Sequence, residues 1–336
     1  MTTVPISMLD VRAQIDGAMR AAVGRLDPRT HRVAAYHLGW ADAAGRPADA
    51  GGKSLRPALA LLSARAAGAD PEVGVPGAVA VELTHAFSLL HDDIMDGDRT
   101  RRHRPAAWTV FGEPAAILTG DALAALAGEL LLEVPGPGGP RAARSLAAAT
   151  RRLIAGQALD LGFEERDQVG LRECLTMSAD KTASLLACSC SIGAVLAGAP
   201  EPLVAGLAAF GAELGLAFQL VDDLLGVWGE PAVTGKPALS DLRSRKKTLP
   251  VVAALTAGTA ESARLAELYA RPSPLSDAEL REAARLVEAA GGRGWAEAEA
   301  GRRVERAAAH LADADLPDLV RTEFLDIAAF VTRRDH

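Results

Sequence analysis

Two clusters of carboxylates set the chemistry open to this chain. The first closes the segment Glu82-Leu83-Thr84-His85-Ala86-Phe87-Ser88-Leu89-Leu90-His91-Asp92-Asp93-Ile94-Met95-Asp96. Asp92 and Asp96 are four residues apart, so on a helix they share one face, where like charges repel. A sequence selected for stability alone would avoid that pair. Asp98 and the cations Arg99, Arg101, Arg102 and Arg104 follow at once. Carboxylates that project together into a cation-rich mouth suit a divalent metal and phosphate groups. Oxygen-only ligands favour Mg²⁺, which binds through one or two carboxylates plus substrate phosphates. The second cluster, Asp222-Asp223, ends an apolar run that contains Phe218-Gln219. It precedes Thr234-Gly235-Lys236-Pro237, Ser240-Asp241, Arg243, Arg245, Lys246 and Lys247. One acidic pair is most often a solvated helix cap. Two, each followed by a basic loop, are more specific.

Facing one another, the two ends could hold several Mg²⁺ ions around one diphosphate and stabilise the charge on it as it departs. Apolar helix bodies beneath them would form a dry channel for a hydrocarbon tail. That arrangement suits ionisation of an allylic diphosphate, because water would quench the carbocation. A third segment, Gly51-Gly52-Lys53-Ser54-Leu55-Arg56-Pro57, places Lys53 and Arg56 three apart after a double glycine that lets backbone approach a ligand. Alone it reads as a glycine loop with two surface cations. No Ser/His/Asp or Cys/His nucleophile arrangement and no strand–glycine-loop–helix nucleotide pattern is visible.

The elements that position these residues are helices. The 336 residues are 49% hydrophobic but only 4% aromatic, with Ala and Leu prominent, so helix formers outnumber strand formers. We expect an all-α fold, a single domain over 1–336. Helices are expected over 7–24, 29–44, a run from the glycine loop through Ala67, 76–96, 115–132, 141–165, 170–198, 202–228, 277–290, 295–314 and 317–333. The 141–165 helix carries Gly156-Gln157 and Asp160. Pro135 to Pro140 reads as a connector, and Ser276-x-x-Glu279 as a capping box. A net charge of −7 gives no support to a nucleic-acid partner. The N-terminus has no signal-peptide pattern, and a cytoplasmic protein is expected. The longest uncharged span, Thr182 to Pro200, is interrupted by serines and glycines. It reads as a buried core helix rather than a membrane span. Lys181 stands at its start, which raises the question of a buried anionic partner. Cys174, Cys188 and Cys190 read as buried thiols, not zinc ligands or a disulfide framework.

With these motifs in place, the chain resembles the trans-isoprenyl diphosphate synthases, most of all the short-chain farnesyl and geranylgeranyl types, over nearly its whole length. Gly52-Lys53-x-x-Arg56-Pro57 is similar to the isopentenyl-diphosphate segment of that family. Asp92-Asp93-x-x-Asp96 with Arg101-Arg102 is similar to its first acidic motif. Lys181-Thr182, Phe218-Gln219-x-x-Asp222-Asp223, Gly235-Lys236, Asp241 and Lys246 follow in the expected order. The resemblance implies a bundle of mostly antiparallel helices around a central cavity, a homodimer, and Mg²⁺ as cofactor. Asp92 and Asp96 would ligate two ions and Asp222 a third. Arg101, Lys181 and Lys236 would hold the allylic diphosphate. Lys53, Arg56, His85 and Arg102 would hold isopentenyl diphosphate, with Lys246 also binding substrate. Thr182 and Gln219 would steady the cation and the released diphosphate, and that diphosphate would remove the final proton.

One departure stands out: the second motif has Gly226 where the family usually has a third Asp. The form Asp222-Asp223-x-x-Gly226-x-x-x-Glu230 also loosely fits the second metal motif of a class I terpene synthase on the same bundle. In a cyclase, however, Lys53, Arg56 and His85 would have no purpose. A regulatory subunit would be expected to lose Asp92, Asp96 or the arginines, which this chain keeps. Product length should be set below Asp92, where Ser88 lies one turn down and Phe87 beside it. An aromatic five residues before the first motif Asp, next to a small residue, resembles the geranylgeranyl pattern. A twenty-carbon product is expected, with farnesyl diphosphate as the alternative.

Overall fold

The computed structural model describes residues 11–48, 55–230 and 238–332. Sixteen α-helices run through them. They are α1 (Val11–Val23), α2 (Pro28–His37), α3 (Leu55–Ala66), α4 (Val75–Met95), α5 (Ala107–Phe111), α6 (Glu113–Leu132), α7 (Gly138–Glu164) and α8 (Leu171–Ser178). Then come α9 (Ser184–Leu196), α10 (Glu201–Trp228), α11 (Ser240–Arg243), α12 (Leu249–Leu255), α13 (Ala260–Tyr269), α14 (Asp277–Ala289), α15 (Gly292–Ala312) and α16 (Asp318–Thr332). The fold is all-α, as the composition requires. The only strands among the described residues are β1 (Thr100–Arg101) and β2 (Arg104–Pro105), an antiparallel pair.

α9 is the centre of the bundle. It packs on α3, α4, α7 and α10, so α4 and α10, the two helices that end in aspartates, flank it. Two of its serines are satisfied within the helix: Ser189 Oγ donates to the Leu185 carbonyl at 2.7 Å and Ser191 Oγ to that of Ala187 at 3.0 Å. The uncharged span is therefore buried in protein, as expected. Leu59, Leu62, Leu83, Leu90, Leu185, Leu186, Ile192, Leu207 and Phe210 are all buried in the main core. A smaller core gathers Phe163, Cys174 and Met177 with Leu220, Leu224, Leu249 and Ala296. Cys174, Cys188 and Cys190 are free, buried thiols. Burial pushes Cys188 up to about 12, which leaves it an inert hydrophobe.

Several boundaries differ from the expectation. α2 stops at His37 rather than 44, because Gly39 turns left-handed (φ 80°) and the next residues form a bridge between Ala41 and Pro47. α7 begins at Gly138, inside the expected connector, since Pro140 falls in the first turn, where a missing N–H costs nothing. The expected helix over 170–198 is interrupted at Ala179–Ala183 by a π-helical turn. The loop of arginines after Asp98 is the β1–β2 hairpin. The Ser276–Glu279 capping box forms, with Glu279 accepting from the Ser276 N–H at 2.7 Å. Three stretches, Pro71–Met95, Glu113–Leu132 and Glu201–Trp228, are long and apolar enough to cross a membrane by length and composition alone. The windows that qualify in the first and last are at least half buried within the bundle.

Candidate active site

A cavity of about 900 Å³ opens between the ends of α4 and α10. One wall is the C-terminal half of α4. Asp92 and Asp96 face the cavity, as their four-residue spacing requires, whereas Asp93 points away and is buried. Arg101 from β1 pairs with Asp93, its Nη2 2.5 Å and Nε 2.6 Å from Oδ1. The hairpin turn puts Arg102 and His103 at φ 51° and 60°, a sparsely populated region for residues other than glycine. Anchors hold that turn in place. Arg104 lies over the Tyr36 ring at 4.3 Å and donates to the Ala41 carbonyl at 2.8 Å, and Trp108 Nε1 donates to the Asp98 carbonyl at 2.8 Å. The hairpin thereby holds Arg101 and Arg102 at the cavity wall.

Deeper along α4 lie Arg56, His85 and Arg102, with Glu82 beside them. Burial lowers the Arg56 pKa to about 10, with Arg102 adding to the effect against Glu82, so the guanidinium stays charged at neutral pH. Its Nε is buried with no hydrogen-bond partner. Burial, then Arg56 and Arg102, hold His85 well below the ordinary histidine range. It is therefore a neutral imidazole, with one N–H to offer an anion. Together these are a recessed set of donors suited to a diphosphate.

The opposite wall is α10. Thr182 Oγ1 donates to Gln219 Oε1 at 2.6 Å, and Gln219 Nε2 donates to Asp223 Oδ1 at 2.7 Å. Asp223 Oδ2 accepts from the Leu249 N–H at 2.8 Å. This relay fixes the Gln219 amide with its carbonyl toward Thr182, and it explains why the second acidic residue of the pair is buried while Asp222 faces the cavity mouth.

Between the walls, α7 contributes Asp160. Lys181 Nζ lies 2.6 Å from Asp160 Oδ2 and 3.4 Å from Asp92 Oδ1; Lys246 Nζ lies 3.4 Å from Asp160 Oδ2 and 3.5 Å from Asp96 Oδ2. Burial alone would raise the Asp160 pKa, but Lys246 and Lys181 outweigh it and hold the carboxyl below its ordinary range. Burial works against the Lys246 charge, yet Asp160 and Asp96 keep it charged, above the usual lysine value. The buried anionic partner of Lys181 is thus Asp160. Lys181 and Thr182 reach the cavity because they sit in the π turn, whose backbone lies against Gly156 of α7. A Cβ at 156 would come within 2.2 Å of the Lys181 nitrogen. π turns inside α-helices are frequent at functional sites.

The carboxylates fit Mg²⁺. Burial, reinforced by Asp92, raises the Asp96 pKa although Lys246 opposes it, and the buried Asp92 Oδ1 has no hydrogen bond, only the 3.4 Å ion pair with Lys181. A divalent cation between the two would relieve both. Among the described residues no three His, Cys, Asp or Glu side chains converge as a ready cage. That agrees with an ion completed by substrate phosphates rather than held by protein alone.

Of the residues expected from sequence, Arg56, His85, Phe87, Ser88, Asp92, Asp96, Arg101, Arg102, Lys181, Thr182, Gln219, Asp222 and Lys246 all line this one cavity. Lys53 and Lys236 lie outside the described residues. Residues given no role from the sequence also line it: Gln157, Asp160, His91 and Thr248. Gln157 is one turn of α7 before Asp160, and both polar atoms of its buried amide lack partners. His91 donates through Nε2 to the Ile117 carbonyl at 3.0 Å and meets the Phe87 ring edge-on at 5.1 Å. The apolar part is walled by Phe87, Ala124, Leu153, Ile154, Leu185 and Phe218.

Comparison with known proteins agrees with this geometry. Residues 41–287 match the family described as Polyprenyl synthetase. The chain is 49% identical over 95% of its length, and 90% of the relative's, to a (2E,6E)-farnesyl diphosphate synthase of Mycobacterium tuberculosis. It is 43% identical to a geranylgeranyl diphosphate synthase of the same organism, over 96% of this chain and 92% of that one. A polyprenyl synthetase crystal structure from Streptomyces coelicolor A3(2) superposes with a TM-score of 0.93 at 55% identity, over 97% of this chain and 98% of that one.

Proposed function

The chain belongs to the polyprenyl synthetase family, and we propose that it condenses isopentenyl diphosphate with an allylic diphosphate to give geranylgeranyl diphosphate. Short-chain prenyl transfer itself follows from the family and the relatives. The twenty-carbon product is our reading of Phe87 and Ser88. Farnesyl diphosphate is the second reading, favoured by the 49% identity to a farnesyl diphosphate synthase. The observation that carries the proposal is a single cavity that joins the Asp92–Asp96 face to Asp222 and also holds Arg56, His85 and Arg102. That is room and charge for two diphosphates, which a cyclase does not need.

In this reading Asp92, Asp96 and Asp222 hold Mg²⁺, three ions in all. When bound, the metal would neutralise the allylic diphosphate and improve it as a leaving group. Arg101, Lys181, Lys236 and Lys246 grip that diphosphate. Lys53, Arg56, Arg102 and the neutral His85 hold isopentenyl diphosphate in place for attack. The Thr182–Gln219 pair turns oxygen dipoles toward the developing positive charge. Phe87, Leu153, Leu185 and Phe218 keep water from the cation. The released diphosphate, kept beside Lys181, takes up the proton that ends each cycle. The unit acting is one domain, as a cytoplasmic homodimer without a membrane span. The exposed Ile117, Leu118 and Leu132 of α6 and Ile154 and Leu159 of α7 give the second copy an apolar face to cover.

The test is turnover with isopentenyl diphosphate plus dimethylallyl, geranyl or farnesyl diphosphate, against each allylic diphosphate alone, with chromatography of dephosphorylated products. A twenty-carbon alcohol made only when both substrates are present is expected. A fifteen-carbon end product supports the second reading. Diphosphate released from the allylic substrate alone, with no isopentenyl diphosphate consumed, overturns the proposal.

A further inference from the structure

We propose that His91 is a positioning residue for product length: its ring, seated in a notch that Gly120 leaves in α6, braces Phe87 and so holds the floor of the hydrocarbon channel in place. This rests on the reading of Phe87 as that floor and adds what keeps it rigid. Phe87 and His91 are four residues apart and share a face of α4. Their rings meet edge to face, with centroids 5.1 Å apart and planes at 81°. In that arrangement the positive edge of one ring lies against the negative face of the other. Both residues line the cavity. His91 stands one helical turn, about 5.4 Å, nearer the carboxylate mouth than Phe87. It caps the Phe87 ring from the side on which the growing chain arrives.

The imidazole is in turn fixed by α6. Its Nε2 donates to the Ile117 carbonyl at 3.0 Å. Asp121 Oδ1, 3.8 Å from the same nitrogen, is beyond hydrogen-bond reach. A Cβ built at Gly120 falls 2.3 Å from Nε2 and 2.6 Å from Cδ2 of His91. The ring therefore lies against bare backbone, and any other residue at 120 would push it out. Gly120 has an ordinary helical backbone, inside α6 and without a positive φ. A glycine there weakens the helix. The close approach of His91 is what requires it. Ala124, four residues on and on the same face of α6, also lines the cavity. α6 thus offers two small residues where α4 offers two rings. Without the imidazole, the Phe87 ring has an empty notch to turn into, and the channel deepens.

The experiment compares product lengths, by chromatography of dephosphorylated products, in the full-length wild type, His91→Ala, Gly120→Ala, Phe87→Ala and the double variant Phe87→Ala/His91→Ala. Each is given Mg²⁺, isopentenyl diphosphate and dimethylallyl diphosphate, and thermal melts accompany each. His91→Ala should lengthen the main product by one isoprene unit. Gly120→Ala, whose Cβ displaces the imidazole, should do the same. The double variant should match Phe87→Ala, because a residue that acts through Phe87 has nothing to add once Phe87 is gone. Wild-type lengths in His91→Ala, where Phe87→Ala lengthens the product, overturn the brace and leave Phe87 as the floor. An equal gain from His91→Ala in both backgrounds also overturns it, since His91 would then be a wall in its own right. So does a Gly120→Ala enzyme that melts like the wild type and keeps its product lengths. The His91→Ala and Gly120→Ala arms each stand alone if the other variant does not fold. If Phe87→Ala itself leaves the lengths unchanged, the reading of the floor fails and the brace with it.

Discussion

Asp160 is the acid on which Lys181 and Lys246 converge, and Asp160→Asn isolates its charge. Asparagine keeps the volume and one carbonyl oxygen, so Lys181 retains a neutral acceptor at 2.6 Å. What is lost is charge. At an effective dielectric of about 20 the attraction to Lys181 is roughly 6 kcal/mol and to Lys246 roughly 5. Most of this is offset by desolvation of all three groups and by repulsion from Asp92 and Asp96, which the substitution relieves. Hydrogen bonds to charged partners are worth about 1.5–3 kcal/mol net, and roughly half of that survives with a neutral acceptor. Adding the weaker loss at Lys246, we expect about 2 kcal/mol of destabilisation. With an unfolding entropy of roughly 2.1 cal/mol/K per residue, that lowers the melting temperature of a chain this long by about 3 °C. The sign with pH follows from the depressed Asp160 pKa. Its contribution is full above the unfolded value near 4 and is lost as pH falls toward the folded value. The gap between wild type and variant should therefore be constant near neutrality and close in acid. The assay is scanning calorimetry in EDTA from pH 7 downward, with KM for the allylic diphosphate measured separately. An unchanged melting temperature at pH 7 together with an unchanged KM would refute the view that Asp160 holds the two lysines.

Asp92→Asn and Asp96→Asn should each abolish most Mg²⁺-dependent turnover while circular dichroism and melting stay at or slightly above wild type, since a repelling pair is removed; near-normal turnover in either would sink the metal assignment. Arg56→Ala should raise the KM for isopentenyl diphosphate more than that for the allylic substrate, because a guanidinium fork suits a diphosphate, and equal rises would show that the two substrates do not occupy separate pockets. Phe87→Ala should lengthen the product and Ser88→Phe shorten it. Product chromatography decides, and an unchanged distribution in both variants would place the floor on another helix.

The helical class and the two carboxylate ends were legible because spacing is local: Asp92 and Asp96 share a face whatever surrounds them. The burial of Asp93 was not, since its partner Arg101 reaches it through a hairpin that two left-handed residues create, and neither Arg102 nor His103 carries a turn signal. The sequence raised the question of an anion for Lys181, but could not select Asp160 among many acids. That pairing depends on where α7 passes α9, which no period reports. Gln157 reads as an ordinary helix residue until the cavity shows its amide without partners. Helix ends were legible where caps were explicit, as at Ser276, and missed where a glycine or proline inside the pattern set the boundary, as at Gly39 and Pro140. Phe87 and Ser88, read from the sequence as the floor of the channel, do line the cavity.

The wide turn at Ala179–Ala183 has a consequence for the helix as a whole. An extra residue in one turn advances every later side chain by about 100° around the axis, given 3.6 residues per turn. Cys174 and Met177 ahead of it serve the smaller core, whereas Leu185, Leu186 and Cys190 behind it serve the main one. The turn is thus the joint at which a single rod changes its bearing from one packing surface to the other, and Lys181 and Thr182 sit on the joint. Removing one residue there would leave an unbroken helix that could satisfy only one core at a time. The relative phase of the two halves is fixed by the chain length between Met177 and Leu185.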